Sequence, residues 1–161
     1  MAKLRSDEIR RLTAYLKKQI NDAELFNAIE GELRGEEATE LLREPEILSY
    51  FSESVVEIEV DKMKWRLRII RYSHLRMIQR GISRDTVVNF FKRFVEFSRD
   101  NGEIIIVGAY SILGKSDSKS KLITLRIDVD EVSEEKGAAH TVTVFVGSGN
   151  VENTLFITLE Q

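Results

Sequence analysis

The stretch SVVEIEVDKMKWRLRII, residues 54–70, decides the fold because its side-chain pattern differs from everything before it. In its first half apolar residues alternate with Glu57 and Glu59, and in its second half apolar residues alternate with lysines and arginines. Alternation at every second residue predicts β-strands with one buried and one exposed face. The two halves meet at Asp61-Lys62, so we expect a tight hairpin in which the glutamates lie opposite the basic row.

The residues before this hairpin carry apolar side chains at helical spacing instead. Ser6 is placed to cap a first helix, a second helix runs through DAELFNAIEGELR, and shorter helices surround Pro45. We therefore predict a helical extension over residues 1–52 and an α+β domain over residues 53–161.

Two helices are predicted directly after the hairpin. The segment SHLRMIQRGIS, residues 73–83, indicates a short helix that is capped by Ser73 and ends at Gly81. Ser83 then caps a longer helix, whose phenylalanines at positions 90, 94 and 97 share one face and mark it as the central core helix.

The remainder of the chain is typical of strands. Apolar or alternating runs are EIIIVGAY, LITLRIDVDEV, HTVTVFVG and TLFITLEQ, and the polar segment GKSDSKSK, residues 114–121, is expected to be a loop. The fold class predicted from these patterns is α+β, with an N-terminal helical segment followed by a mainly antiparallel sheet packed against one or two helices.

Composition excludes several classes of function. The chain has 161 residues and no cysteine, which rules out disulfides, cysteine-bound zinc and a cysteine nucleophile. Its first residues are charged and contain no apolar run of the kind found in a signal peptide, and no run is long enough to span a bilayer. We expect a cytoplasmic protein without a membrane partner.

Charge is distributed unevenly along the chain. The formal net charge is −3, but residues 1–61 carry −7, residues 62–126 carry +10 and residues 127–161 carry −6. A basic middle segment favours partners that bear phosphate. The alternative is that the acidic flanks neutralise the basic segment within one molecule.

Two histidines and two arginines are the candidate catalytic residues. Arg76 and Arg80 lie four residues apart and so share a helix face that suits an anion. His74 and His140 are the only histidines, and two imidazoles can cleave RNA as base and acid without a metal ion. Their convergence on one phosphate is the condition that this hypothesis requires.

Further basic residues are candidates for binding the nucleic-acid backbone. They are Arg66, Arg68, Arg84, Lys115, Lys119 and Lys121. No cofactor and no metal site is expected, because the acidic run DVDEVSEE lacks the spacing of a calcium loop and GSG is not followed by a helix. The alternation in DVDEV predicts the polar face of a strand.

Residues 73–146 also carry a pattern found in a known group of proteins. His74 is followed by Arg76-Met77, by Arg80-Gly81-Ile82, by a helix and by strands that end in the threonine-bearing HTVTVFVG. This order resembles small toxin-like domains allied to the RelE/barnase/colicin-type ribonuclease superfamily. The sequence departs from that pattern because His74 lies only two residues before Arg76.

Two functions from different classes follow. The leading hypothesis is an RNA-binding protein, which becomes a metal-independent endoribonuclease of the toxin type if the histidines and arginines meet. The alternative is a non-enzymatic interaction module that forms a homodimer or binds an acidic protein partner through its basic face.

Overall fold

The computed structural model describes residues 4–35, 37–60, 62–100, 108–116, 121–131, 137–146 and 154–156. Four helices come first, followed by a hairpin, two helices and four further strands. The elements are α1 (Ser6–Gln19), α2 (Ala23–Leu33), α3 (Ala38–Leu41), α4 (Pro45–Leu48), β1 (Ser54–Val60), β2 (Met63–Ile69), α5 (Arg71–Arg80), α6 (Arg84–Asp100), β3 (Gly108–Ser116), β4 (Lys121–Glu131), β5 (His140–Val146) and β6 (Thr154–Phe156).

The strands form one mixed sheet in the order β1-β2-β5-β4-β3-β6. Three neighbouring pairs, β1/β2, β3/β4 and β4/β5, are antiparallel, whereas β2/β5 and β3/β6 are parallel. The predicted α+β class, with helices before a mostly antiparallel sheet, is confirmed. The parallel β2/β5 pair is possible because α5, α6 and the β3/β4 hairpin form the long connection that parallel neighbours require.

The β1/β2 hairpin has the register that its alternation predicts. Glu57 pairs with Arg66 and Glu59 pairs with Lys64 across the two strands. Lys62 at the turn has a left-handed backbone conformation with φ of 69°. The acidic and basic rows therefore lie side by side on the exposed face of the hairpin.

Two helix starts differ from the sequence prediction. Arg5, not Ser6, is the cap residue of α1, and it makes no side-chain capping bond. Ser73 is the third residue of α5, which begins at Arg71. Ser83, by contrast, caps α6 as predicted, because its Oγ accepts a hydrogen bond of 3.1 Å from the backbone N–H of Thr86.

The β3/β4 hairpin is longer than its apolar residues suggested. The strand was expected over residues 103–110, but β3 runs from Gly108 to Ser116, and Ser116 pairs with Lys121 at the start of β4. Much of the expected loop at 114–121 is therefore paired strand, since the backbone hydrogen bonds of a ladder need no apolar side chain. Residues 103–107, 117–120 and 157–161, which belong to the expected strands and loop, lie outside the described residues.

Two apolar clusters form the interior, and α5 lies between them. The first joins the helices of residues 4–51 to Leu75 of α5, and the second joins the sheet and α6 to Met77 of α5. Phe90 and Phe94 of α6 are fully buried in the second cluster, as their helical spacing predicted. The division into an extension (residues 1–52) and a domain (residues 53–161) stays a prediction, because α5 contributes to both cores.

Candidate anion-binding site

Helix α5 is packed on two sides, so Arg76 and Arg80 do not lie on a fully exposed surface, whereas Arg71 at its start is exposed. Each of its residues from Tyr72 to Arg80 is buried or half-buried. The helix ends at Gly81, whose φ is 68°, and the backbone N–H of Ile82 donates to the carbonyl of Met77 at 2.9 Å. Arg11 of α1 donates to the carbonyl of Gln79 and thereby ties this end of α5 to the N-terminal helices.

Ser73 joins α5 to the sheet. Its Oγ donates to the carbonyl of Val144 at 2.9 Å and accepts from the backbone N–H of Val146 at 3.2 Å. The side chain is fully buried. Ser73 thus satisfies two backbone groups near the end of β5, which fixes the sheet-facing side of α5.

His74 points toward the N-terminal helices. Its Nδ1 lies 2.9 Å from the carbonyl oxygen of Ser52, which can only accept, so Nδ1 carries the hydrogen and donates it. The imidazole meets the rings of Tyr15 and Phe51 edge-on. Burial lowers the pKa of His74, the hydrogen bond to Ser52 opposes this, and the charge of Arg84 lowers it further.

His140 lies elsewhere, within the core beneath α6. It is the first residue of β5, pairs with Trp65 of β2 and is buried, with its ring centroid 4.7 Å from that of Trp65. Ser73, the neighbour of His74, contacts β5 four to six residues further along, which corresponds to about 13–20 Å of strand. The structure therefore does not bring His74 and His140 to one phosphate.

Arg76 and Arg80 share one stripe of α5 with Tyr72, since the three residues are spaced by four. Arg76 donates from Nε to the Tyr72 hydroxyl at 3.1 Å and from Nη1 to Oε1 of Gln79 at 3.3 Å. Its Cζ lies 5.0 Å from the centroid of the Tyr72 ring. These contacts hold the Arg76 guanidinium in a fixed position.

Arg43, between α3 and α4, approaches the same hydroxyl. Burial by itself raises the pKa of Tyr72, but the hydrogen bonds and charges of Arg76 and Arg43 outweigh it, and the net pKa is lowered. Burial lowers the pKa of Arg80, and the charge of Arg76 lowers it further, while Glu8 acts in the opposite direction. We call Arg43, Tyr72, Arg76 and Arg80 the arginine cluster.

The cluster carries positive charge that nearby carboxylates do not cancel. Among the described residues, no carboxylate forms an ion pair with Arg43, Arg76 or Arg80 within 4.0 Å. Glu8, which influences Arg80, is itself paired with Arg5 at 2.9 Å. Arg76 and Arg80 are half-buried and Arg43 is exposed. Guanidinium groups that have no carboxylate partner are suited to an external anion.

The other predicted phosphate-binding residues are differently placed. Arg66 pairs with Glu57 and Arg68 pairs with Glu53, each at 3.2 Å, so the hairpin neutralises both arginines. Arg84 is exposed at the start of α6.

Three lysines were also predicted to bind the backbone of the RNA strand. Lys115 and Lys121 belong to β3 and β4 at the end of their hairpin, opposite Leu122 and Ser116, and Lys119 lies outside the described residues.

Residues 128–131 of the acidic run DVDEV belong to β4, as their alternation predicted, and Val132 lies outside the described residues. The hydroxyl of Thr143 on the neighbouring strand donates to the carboxylate of Asp130. Within the described part of the chain, no three His, Asp or Glu side chains are grouped closely enough to hold a metal ion.

Sequence reasoning missed Tyr72, Gln79 and Arg43. Tyr72 and Gln79 could have been found from helical spacing, since they lie four before and three after Arg76. Arg43 carried no such signal, because it reaches the cluster from a separate part of the chain.

Comparison with known proteins gives no match. No family model, curated protein or solved structure matches this chain. The resemblance of residues 73–146 to the toxin-like ribonuclease domains therefore stays a prediction. Among the described helices, none is both long and apolar enough to cross a membrane.

Proposed function

We propose that this protein binds single-stranded RNA and holds its phosphates with the arginine cluster. The observation that carries the proposal is that Arg76 and Arg43 meet at the Tyr72 hydroxyl while Arg80 lies one helical turn beyond Arg76 on the same stripe of α5. Among the described residues, none of the three arginines has an ion-paired carboxylate. Guanidinium groups bind phosphate through paired, charge-assisted hydrogen bonds.

The distribution of charge supports the same site. Residues 62–126 carry +10, but Glu57 and Glu53 neutralise Arg66 and Arg68 on the hairpin. Of the arginines predicted to contact RNA, Arg66 and Arg68 are thus ion-paired, whereas Arg76 and Arg80 of the cluster have no ion-paired carboxylate among the described residues. The half-buried ring of Tyr72 lies beside the guanidinium group of Arg76. Unpaired bases of RNA stack on aromatic rings and on guanidinium planes of this kind.

Cleavage by two histidines is not part of this proposal. His74 donates to a backbone carbonyl among aromatic rings, and His140 is buried beside Trp65. A single phosphate cannot reach both imidazoles across the length of strand that separates them. The proposed activity is binding.

The test is a binding titration with fluorescently labelled single-stranded RNA at low salt. The double variant Arg76→Gln/Arg80→Gln should bind at least about tenfold more weakly, because each lost charge-assisted bond is worth about 1.5–3 kcal/mol. The matched control Arg66→Gln/Arg68→Gln removes the same charge from ion-paired positions and should stay within about threefold of the parent.

Two results would contradict the proposal. If the parent chain does not bind RNA at low salt, the proposal is wrong. If both double variants lose the same amount of RNA affinity, the arginine cluster is not the binding site. Tighter binding of single-stranded DNA of the same sequence would assign the cluster to DNA instead of RNA, and equal binding would show that the cluster does not distinguish RNA from DNA.

Self-association is the second candidate, favoured by the position of β1 at one end of the described sheet. Val55 on this strand is 53% exposed. Antiparallel pairing of two copies of β1 would, however, set Glu57 and Glu59 of one copy beside those of the other, and like charges across strands are destabilising. Sedimentation of the parent chain as a dimer, with Val55→Lys restoring the monomer, would support this candidate.

A further inference from the structure

The arginine cluster contains more charge than an internal phosphate of RNA carries. We infer that it takes a terminal phosphomonoester, the phosphorylated end of an RNA strand, and this inference rests on the proposed function. An internal phosphodiester bears one negative charge, whereas a phosphomonoester bears about −1.5 to −2 near neutral pH and presents three acceptor oxygens.

The charges of the cluster support a dianion. Arg76 and Arg43 meet at the Tyr72 hydroxyl, and Arg80 adds a third guanidinium group one turn further along the same stripe of α5. Glu8 is the acidic residue that acts on Arg80, and Arg5 already pairs with Glu8 at 2.9 Å. A monoanion would leave most of this charge uncompensated, while a phosphomonoester would balance about two of the three groups.

The donors of the cluster also suit three oxygens. Arg76 is held by Tyr72 and Gln79, so its position does not have to be fixed again when an anion binds. Arg80 donates no hydrogen bond to another described residue. The hydroxyl of Tyr72 accepts from Arg76 and keeps its own hydrogen to donate. A phosphate at the end of an RNA strand has nucleotides on one side only, so its oxygens are more accessible to these donors than those of an internal phosphate.

Arg43 is the residue that distinguishes a terminal group from the backbone. It is exposed and lies on the segment between α3 and α4, whereas Arg76 and Arg80 lie on α5. The predicted helical extension therefore supplies the third guanidinium of the cluster. Removal of Arg43 should weaken binding of a phosphorylated end more than binding of a hydroxyl end, and so remove the preference for the phosphorylated end.

The experiment compares short RNAs of one sequence that carry a 5′-phosphate, a 3′-phosphate or hydroxyls at both ends. The full-length parent should bind one phosphorylated form at least about tenfold more tightly than the hydroxyl form, as expected for charge-assisted bonds to one added group. The end that gains affinity identifies the source of the phosphate. A hydroxyl-ended RNA that is one nucleotide longer controls for the added charge. Its affinity should exceed that of the shorter hydroxyl-ended RNA by less than about threefold.

Arg43→Gln should reduce the preference for the phosphorylated end to below about threefold, because the affinity for phosphorylated RNA should fall more than the affinity for hydroxyl-ended RNA. The control Arg34→Gln removes an exposed arginine that pairs with Glu30, and it should keep the preference. Inorganic phosphate should compete with the phosphorylated RNA for binding to the parent. It should not compete for binding to Arg43→Gln.

Equal affinity of the parent for all three RNAs would overturn the inference and leave the proposed function intact. Absence of binding to every RNA would overturn the proposed function itself. A preference that survives in Arg43→Gln, with the variant's melting temperature unchanged, would show that the cluster does not read the terminal phosphate.

Discussion

Ser73 offers the sharpest test of how α5 is held. Its fully buried Oγ bonds the carbonyl of Val144 at 2.9 Å and the backbone N–H of Val146 at 3.2 Å. Ser73→Ala removes both bonds and leaves two backbone groups of β5 short of a partner. A buried group without a hydrogen-bond partner costs about 1–3 kcal/mol, so we expect the variant to lose about 2–4 kcal/mol of unfolding free energy.

Urea denaturation followed by tryptophan fluorescence measures this loss directly. Trp65 is the only tryptophan and is buried in the core that Ser73 contacts through β5. With a slope of about 2 kcal/mol/M, the midpoint should fall by about 1–2 M urea and the slope should stay unchanged.

Ser83→Ala is the matched control for Ser73→Ala, because Ser83 is exposed and its Oγ bonds only the backbone N–H and the hydroxyl of Thr86 among the described residues. Loss of this cap should cost about 1 kcal/mol. A Ser73→Ala protein whose unfolding free energy lies within about 0.5 kcal/mol of the parent would refute the claim that Ser73 fastens α5 to the sheet.

Three further variants test the surroundings of α5. Gly81→Ala should cost about 1–2 kcal/mol in a thermal melt, because φ is 68° and the new Cβ would lie 3.1 Å from Cζ of Arg11. Phe94→Ala should cost about 3–5 kcal/mol in urea, since the ring is fully buried, and a near-parental midpoint would place the core elsewhere. The pKa of His74 is lowered in the fold, so the unfolded chain binds the proton more readily. Stability should therefore decline as the pH falls below about 6.5, and His74→Asn, which keeps a donor but does not titrate, should lack that part of the decline.

The fold was predictable wherever the deciding interactions are local in sequence. Alternation in residues 54–70 fixed the hairpin and even its register, because period two determines which residues face each other. The helical spacing of Phe90 and Phe94 likewise identified the buried face of α6. The parallel contact between β2 and β5 had no local signal, since it joins Trp65 to His140 across two helices and a hairpin.

The candidate site was predictable only in part, for the same reason. The shared face of Arg76 and Arg80 follows from spacing on one helix, and Tyr72 lies on it. Ser73 has the residue type of a helix cap, but its partners belong to β5, which residue type cannot reveal. Arg43 reaches the cluster only after the N-terminal helices pack on α5, and His140 lies far from His74 because β5 runs parallel to β2.

The salt dependence of RNA binding tests the central claim most directly. For a single strand, the logarithm of the affinity falls with the logarithm of salt concentration by about 0.7 for each neutralised phosphate charge. If the arginine cluster holds the RNA, Arg76→Gln/Arg80→Gln should reduce this slope by about 1.4, while Arg66→Gln/Arg68→Gln should leave it close to the parental value. Parental slopes in both double variants, or equal reductions in both, would contradict the account.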